Sequence, residues 1–245
     1  NRERQALTRE THLRARELAL ARDPGVHLLF AAHPDFRHGI VGLAASRLTE
    51  EFYRPSIVAR IEDDTVRASC RSIKEFHITN ALDECADLLI KHGGHAAAAG
   101  FTVATRDLAE LEARLRAIVA RELDGLDLRP TVNIDAEVRF SELTPALAQE
   151  LARFEPCGFG NPTPILATRR ARVRAMRTMG SDGSHLRLTL QDNGLTLEAI
   201  GFGFGSWAQR LEVGQSVDLA YTFEIGEWNG ERRLELKLRD LRSAE

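Results

Sequence analysis

The sequence predicts an α/β domain, with a mixed sheet and flanking helices, followed by an all-β barrel of the OB type. Two patterns support this fold class. Up to about residue 127, short apolar strands alternate with amphipathic helices, whereas after Pro130 apolar residues recur at every second position. We therefore expect a connector helix over 1–24, an α/β domain over 25–127 and a barrel over 128–245.

The first segment is predicted to form one helix with a small buried face. Residues 2–22 contain nine charged residues and no glycine or proline, and their few large apolar residues are leucines. Asp23-Pro24-Gly25 ends the helix. A connector to another domain and an ordinary surface helix share this pattern, so both interpretations stay open.

The second segment alternates strands with helices, which predicts a largely buried sheet. Its clearest helix covers 107–123, where leucine, isoleucine and valine recur on one face and acidic residues occupy the first turn. The other predicted elements are strands at 26–31, 56–61, 65–70 and 101–104 and helices at 39–52 and 79–92.

The third segment has the period-two alternation of strands that bury one face. It predicts five or six strands, a helix near 145–154 and a short helix near 206–211. This combination favours a small closed barrel of the OB type. The alternating apolar positions lie at 132–138, 171–175, 186–190, 195–199, 217–223 and 234–238.

Composition excludes several classes of protein. With 43% hydrophobic residues, and 33 Lys plus Arg against 36 Asp plus Glu, the chain is neither disordered nor generally basic. No apolar run reaches the ~18 residues that span a bilayer, so we expect no membrane contact. The cysteines, at 70, 85 and 157, are far apart and odd in number, so the sequence predicts neither a disulfide framework nor a zinc site. We therefore expect the protein in the cytoplasm, where thiols stay reduced. Because the sequence begins with Asn1 and not Met, we expect a processed N-terminus or a piece of a longer protein.

The most unusual motif is Gly93-Gly94-His95, which lies between a predicted helix and a predicted strand. Two glycines let a ligand approach the backbone closely, and the free amides of a new helical turn favour an anion. A structural interpretation is also available, with Gly93 as a helix C-cap and the alanines at 96–99 as helix formers.

A second candidate site is the polar run Ser69, Cys70, Arg71 and Ser72, at the end of a predicted strand. Two hydroxyls, a guanidinium and loop amides together suit a terminal phosphate. A polar turn with a surface arginine has the same composition, and both interpretations stay open.

A third candidate is Arg37-His38, at the start of the predicted helix 39–52. Six of the eight histidines lie in the α/β domain, which raises the question of a metal site. Only His33 and Asp35 are closely spaced, and hard cations prefer clustered carboxylates, so we expect this chain to bind no metal by itself.

The barrel segment contains a dense run of arginines. Five of the nine residues at 169–177 are arginine, and Arg170, Arg172 and Arg174 alternate with small apolar residues. This pattern predicts a cationic strand face that follows a phosphate backbone. The aromatic residues of the segment could stack on bases or fill the barrel core: Phe202, Phe204, Trp207, Tyr221, Phe223 and Trp228.

Four stretches, 36–48, 69–76, 93–101 and 154–164, together resemble the C-terminal half of the RecJ family. This family contains the single-strand-specific 5′→3′ DNA exonucleases of the DHH phosphoesterase superfamily. The Gly-Gly-His motif marks the DHH-associated domain in general, whereas the Glu-Pro-Cys-Gly-Phe-Gly-Asn-Pro-Thr-Pro segment points to RecJ itself. The resemblance implies a connector helix, a DHH-associated α/β domain and an OB barrel, in that order.

The resemblance also implies roles for the candidate residues. Gly93, Gly94 and His95 resemble the motif that holds the nucleotide beside the metal centre, where His95 supports catalysis. Ser69 and Arg71 resemble the ends of the Ser-Gly-Arg turn that binds the 5′ phosphate.

Three departures from the family's pattern limit the transfer of roles. Cys70 replaces the glycine of the phosphate turn, and Phe36-Arg37 replaces the family's Trp-His, so Arg37 or His38 would have to substitute. No Asp-His-His occurs in the sequence, and the resemblance therefore implies that Mn²⁺ or Mg²⁺ is held by a DHH domain that is missing from this chain.

These features imply the substrate-binding portion of a RecJ-like exonuclease for DNA repair and recombination. We expect a monomer that binds single-stranded DNA and is inactive as a nuclease by itself. The alternatives are the nucleotide-holding domain of an oligonucleotide or cyclic-dinucleotide phosphodiesterase of the same superfamily, and a docking module for a partner such as a single-strand-binding protein. The barrel and the Gly-Asn-Pro segment argue against the phosphodiesterase.

Overall fold

The structure, a computed structural model, describes residues 2–22, 27–158, 160–228 and 231–244. The chain divides between Pro130 and Thr131 into two units with separate cores. Among the described residues, no helix is both long and apolar enough to cross a membrane.

The first unit is built on a five-stranded mixed sheet, as the alternating sequence pattern predicts. Its strands are β1 (Leu29–His33), β2 (Ser56–Ile61), β3 (Thr65–Arg71), β4 (Leu89–His95) and β5 (Ala98–Ala104). They lie in the order β1-β2-β3-β5-β4. β1 and β2 are parallel, and the other neighbours are antiparallel.

Helices cover this sheet because both faces of its first strands are apolar. The helices of the unit are α1 (Arg2–Arg22), α2 (His38–Phe52), α3 (Ile78–Asp83) and α4 (Leu108–Leu123). α1 and α2 share a buried cluster with β1 and β2 on one face. α3 and α4 contribute to the larger cluster, which includes the inward residues of β3 and β5.

The buried face of α1 is made of small residues. Thr8, Ala15 and Ala19 are buried, whereas Leu13 is 55% exposed. Leu18 and Leu20 pack against the same cluster but are only partly buried, so small residues and not the leucines form the fully buried part of this face.

The predicted helix at 79–92 is wrong. α3 ends at Asp83, a 3₁₀ turn covers Ala86–Leu88, and Leu89 begins the strand β4. β4 and β5 form a hairpin around Ala96 and Ala97, whose carbonyls accept hydrogen bonds from the N–H groups of Ile78 and Ser72. Pairing with β5 outweighs the local preference of these residues for a helix.

The second unit is a closed barrel of the OB type, as predicted. Its elements are β6 (Ala136–Glu137), α5 (Pro145–Ala152), β7 (Leu166–Met179), β8 (His185–Asp192), β9 (Leu195–Gly201), β10 (Ser216–Trp228) and β11 (Glu231–Ser243), with a short 3₁₀ helix at Gly205–Gln209. The strands follow the order β7-β8-β9-β11-β10, and β10 pairs with β7 to close the ring. β6 pairs with β7 outside the ring.

Candidate nucleic-acid interface

One face of the β3–β5–β4 part of the sheet brings two predicted motifs together. Ser69 pairs with Gly100, which pairs with Gly93, and Arg71 pairs with Ala98, which pairs with His95. Directly opposed residues of antiparallel strands point to the same face. We call Ser69, Arg71, Gly93, His95 and Gly100 the glycine face. With strands about 4.8 Å apart, its outer members lie roughly 10 Å from each other across the sheet.

Two hydrogen bonds orient Arg71, one to α2 and one to its own strand. Its Nε donates to Ser46 Oγ at 3.1 Å, and its Nη1 donates to the Cys70 carbonyl at 2.8 Å. A Cβ on Gly42 would lie 3.3 Å from Arg71 Nη2, so the helix passes close to the guanidinium at this glycine. The bonds orient a half-buried guanidinium, which is suited to an anion.

Cys70 does not obstruct this face. Strand alternation points its side chain to the opposite side of the sheet, where it is fully buried in the core. Burial raises the pKa of the thiol to about 12, against a small opposing effect of Arg71. The cysteine in place of the family's glycine therefore leaves the space between Ser69 and Arg71 unchanged.

Gly93 and Gly94 have different structural reasons to be glycine. At Gly94, with φ +154°, a Cβ would lie 2.4 Å from both the Ala98 carbonyl oxygen and Ala99 Cα. At Gly93 a Cβ would meet nothing within 4 Å, so packing does not require this glycine. Gly93 leaves open space on the exposed side of the sheet, whereas Gly94 permits the close pairing of β4 with β5.

His95 ends β4 with an exposed imidazole on the glycine face. Its backbone carbonyl accepts a hydrogen bond from Thr79 Oγ1 at 2.8 Å, which ties the hairpin to α3. The motif thus lies on a strand, and the predicted helical turn with free amides is wrong, as are the helix C-cap at Gly93 and the helical alanines.

The other predicted residues of this unit are engaged elsewhere. Ser72 donates its hydroxyl to the Phe76 carbonyl at 2.7 Å and its N–H to Ala97 O, so its donors stabilise a loop and are not directed at a ligand. His38 Nε2 lies 2.8 Å from Glu62 Oε1, and this hydrogen bond lowers the pKa of the glutamate. Arg37 is exposed and precedes α2 as its N-cap residue without a side-chain cap bond.

The described part of the first unit pairs most of its histidines with single carboxylates or backbone groups and assembles no metal site. Within the described ranges, no group of three or more His, Cys, Asp and Glu side chains is arranged to hold one. His92 lies on the core side of β4 and pairs with Asp83 at 2.8 Å, and His33 Nδ1 accepts a bond from the Asp35 N–H.

Two β-bulges interrupt the arginine run of β7. Arg169 and Arg170 both oppose Asp218, where Arg170 has φ +57° and donates its N–H to Asp218 Oδ1 at 3.0 Å. Arg174 is the extra residue opposite β8. The predicted regular alternation along this strand is therefore wrong beyond Val173. Arg170, Arg172 and Arg174 are all exposed, but they do not form one straight row.

The second bulge changes which residues of β7 face outward. Ala175, predicted to face the core, is exposed, and Met176 packs against the core in its place. Arg177 consequently points outward and lies directly opposite Arg187 of β8.

Three cations lie in a row that crosses four strands on the outside of the barrel. Arg177 pairs with Arg187, Arg187 with Ile200, and Ile200 with Lys237. We call Arg177, Arg187 and Lys237 the cationic row. Like charges on directly opposed residues are unfavourable unless an anion lies between them. Arg187 and Ile200 lie on the second and third strands of the barrel, which form the face on which oligonucleotides bind in the OB fold.

Local contacts support a ligand-binding role for this row. Arg187 Nη1 lies 3.4 Å from Glu198, but its Nε is buried without a hydrogen-bond partner among the described residues. Lys237 forms an ion pair with Glu224. An adjacent cavity of about 380 Å³ is lined by the cations Arg187, Arg233 and Lys237, the carboxylates Glu198 and Glu235, and a mainly apolar remainder that includes Met179, Ile200 and Phe202. The sequence analysis missed Arg187, although the flanking alternation of Leu186, Leu188 and Leu190 places it outside.

The barrel aromatics divide between the core and the surface. Tyr221 and Phe223 are buried, and the Tyr221 hydroxyl bonds Thr168 Oγ1 at 2.7 Å. Phe204 and Trp207 pack partly against the core, whereas Phe202 is 61% exposed. The side chain of Trp228 lies outside the described residues.

The segment at 154–164 folds back on itself beside the barrel. Asn161 Nδ2 donates to the carbonyls of Phe154 and Pro156, and Gly158 and Asn161 exchange backbone hydrogen bonds. Phe159 lies outside the described residues. The asparagine therefore closes the turn, which explains why this residue stands between glycine and proline.

The two units define a class of protein, in which a DHH-associated α/β domain is joined to an OB barrel. The family model of the DHHA1 domain matches residues 25–121, and that of the RecJ OB domain matches residues 134–240. The chain is RecJ-like and belongs to these two domain families.

Comparison with known proteins gives the same result over nearly the whole chain. The single-stranded-DNA-specific exonuclease RecJ of Bacillus subtilis is 28% identical over 98% of this chain, and that of Thermus thermophilus is 31% identical over 94%. The crystal structure of Thermus thermophilus RecJ with Mg²⁺ superposes with a TM-score of 0.78 at 28% identity, covering 99% of this chain and 36% of that one. The chain spans about a third of the length of these relatives and matches their C-terminal region.

Proposed function

We propose that this chain is the substrate-binding portion of a RecJ-like 5′→3′ exonuclease that hydrolyses single-stranded DNA in repair and recombination. The observation that carries the proposal is the match of both domains, in RecJ order, over nearly the whole chain. The relatives it matches are named as single-stranded-DNA-specific exonucleases.

In this proposal the glycine face receives the 5′ end of the strand. Arg71 and Ser69 bind the terminal phosphate, because the guanidinium is already oriented by Ser46 and the Cys70 carbonyl. Gly93, which has open space above it, lets the nucleotide approach the sheet. His95 supports hydrolysis from the exposed end of β4, and Gly94 maintains the strand geometry that places it there.

The barrel then holds the following nucleotides through the cationic row. Arg172 and Arg174, exposed on β7, extend this row, as the sequence pattern suggested. Arg170 contributes least to binding, because its backbone is bonded to Asp218 and its cavity is lined by Glu137 and Asp192.

The metal ions of the reaction belong to a DHH domain in this proposal. RecJ of Thermus thermophilus has been solved with Mg²⁺ and with Mn²⁺. Since the described residues hold no suitable ligand cluster, we expect this chain to digest no DNA when Mn²⁺ is added. Digestion by a preparation free of other nucleases would contradict this assignment.

The proposal is tested by binding of single-stranded and duplex oligonucleotides across a salt series. We expect preference for the single strand, with log K falling by about 0.7 per decade of salt for each phosphate contact. The triple variant Arg177→Gln, Arg187→Gln, Lys237→Gln should lose about three of these increments, one for each cation removed. Arg153→Gln, an exposed arginine paired with Glu150, is the matched control and should bind like the wild type. Equal binding of both oligonucleotides would contradict the proposal.

A phosphodiesterase for short oligonucleotides or cyclic dinucleotides is the second candidate. It is supported by the glycine face, whose residues all lie in the first unit. Competition separates the two candidates, since a dinucleotide should displace a long single strand only if the glycine face provides most of the affinity.

A single-strand-binding protein is a proposed partner of this chain. If the chain serves only to dock such a partner, its affinity for DNA should stay unchanged when the cationic row is removed.

A further inference from the structure

The turn after β9 presents an exposed aromatic ring beside the cationic row. Phe202 is 61% exposed and lines the same cavity as Arg187 and Lys237. Phe204, two residues further, packs against the barrel core. An exposed phenyl ring of this size next to a set of cations is suited to a nucleotide, which offers a base to stack and a phosphate to neutralise.

The turn that carries Phe202 is fixed to the connection between β7 and β8. The Gly205 N–H donates to the Ser184 carbonyl at 2.9 Å. A Cβ on Gly205 would lie 2.0 Å from the Gly183 carbonyl oxygen, and one on Gly201 would lie 2.8 Å from Phe204 Cβ. These approaches leave no room for a side chain at either glycine, so the backbone around Phe202 is held on both sides.

His185 positions the exposed ring itself. Its Nδ1 accepts a hydrogen bond from the Gly203 N–H at 3.1 Å, directly after Phe202. Its ring contacts the Phe202 ring edge to face, with centroids 5.2 Å apart and an interplanar angle of 71°. One side chain therefore contacts both the turn and the phenyl ring, which stays 61% exposed.

We propose that Phe202 is a stacking platform for one DNA base and that His185 is its positioning residue. This inference rests on the proposed function, because it assigns a contact within the strand that the cationic row holds. Arg187 and Lys237 bind the phosphates next to the stacked base, since they line the cavity that Phe202 borders. Stacking on a phenyl ring accepts any base, which agrees with an enzyme that must process every sequence.

The test uses a single strand that contains 2-aminopurine, whose fluorescence is quenched when the base stacks. In the 245-residue chain, Phe202→Leu should abolish the quenching and weaken binding about tenfold, with the salt slope unchanged because no charge is removed. The matched control is Phe154→Leu, an exposed phenylalanine of the same unit (54% exposed), which should bind and quench like the wild type. Phe202→Trp should retain the quenching.

The role of His185 is tested by two substitutions. His185→Ala removes both contacts and should lose most of the quenching with no change of salt slope. His185→Asn keeps an acceptor near the Gly203 N–H and should restore part of the signal. Wild-type binding and quenching in Phe202→Leu would overturn the inference while leaving the proposed function intact. Equal affinity of the wild type for single strands and duplexes would overturn the proposed function instead.

Discussion

Replacing Gly94 by alanine should destabilise the first unit strongly. The new Cβ would lie 2.4 Å from the Ala98 carbonyl oxygen and Ala99 Cα, whereas ordinary contacts begin at 3.4 Å, so β4 and β5 must separate by about 1 Å. Overpacking of this kind costs about 1–3 kcal/mol, and the backbone at φ +154° adds strain of about 1–3 kcal/mol for a residue with a side chain. We expect a total of about 2–6 kcal/mol, a large part of the ~5–15 kcal/mol that stabilises a domain.

Gly93→Ala is the matched control for this prediction. Its Cβ meets nothing within 4 Å, so stability should change by less than about 0.5 kcal/mol. The added methyl group nevertheless fills part of the open space beside Gly93 on the glycine face. We therefore expect Gly93→Ala to weaken binding of a 5′-phosphorylated single strand without affecting the fold.

Urea unfolding with two probes separates these effects. Far-ultraviolet circular dichroism reports on both units, whereas tryptophan fluorescence reports on the second alone, because Trp207 and Trp228 both follow Thr131. Gly94→Ala should move the unfolding of the first unit, seen by circular dichroism, to lower urea concentration. The unfolding of the second unit, seen by fluorescence, should stay at the same urea concentration. An unchanged circular dichroism transition, or equal destabilisation by Gly93→Ala, would refute the reasoning about the hairpin.

Four further predictions concern buried groups and surface charge. Cys70 should resist alkylation in the folded chain, because burial raises its pKa to about 12, whereas the partly exposed Cys157 should react; modification of both at equal rates, measured by mass spectrometry, would contradict this. Tyr221→Phe should cost about 1 kcal/mol in the fluorescence-detected transition, because it removes a buried hydrogen bond. Burial also raises the pKa of the Tyr221 hydroxyl from 10.0 to about 12. The free energy of unfolding that the neutral hydroxyl contributes is therefore complete below pH 10 and is lost as the pH rises from 10 to 12. A free energy of unfolding that stays constant over that range would exclude this contribution. Arg177→Gln should reduce the salt slope of single-strand binding by about 0.7, and Arg170→Gln should change it less; the reverse order would disprove the cationic row.

The sequence predicts a helix or a strand correctly wherever its apolar residues recur with the period of only one of these two elements. The helix at Leu108–Leu123 and the strand at Ser56–Ile61 agree with their predicted positions, because buried apolar residues recur with the matching period. The helix predicted at 79–92 failed because its second half pairs with β5, a contact that no local pattern encodes. The buried stripe of α1 was missed because alanine packs closely without adding much hydrophobicity.

The candidate site was predictable as a set of motifs but not as a surface. The sequence identified Ser69, Arg71 and Gly93, and strand pairing placed them on one face. It could not show that Ser72 uses its donors within a loop, since that depends on the carbonyl of Phe76. A single inserted residue in β7, Arg174, shifted the alternation and brought Arg177 opposite Arg187. Bulges of this kind leave no signal in a period-two pattern.

Each unit carries its own candidate surface, and the proposed function requires both surfaces to contact single-stranded DNA. Photo-cross-linking of a 5′-phosphorylated single strand to the chain, followed by mass spectrometry of the adducts, tests this most directly. We predict adducts in the peptides that carry Phe202 and Arg187 in the barrel and Arg71 and His95 in the first unit. Adducts confined to other surfaces, such as α4 or the cavity around Arg170 and Glu137, would contradict the account.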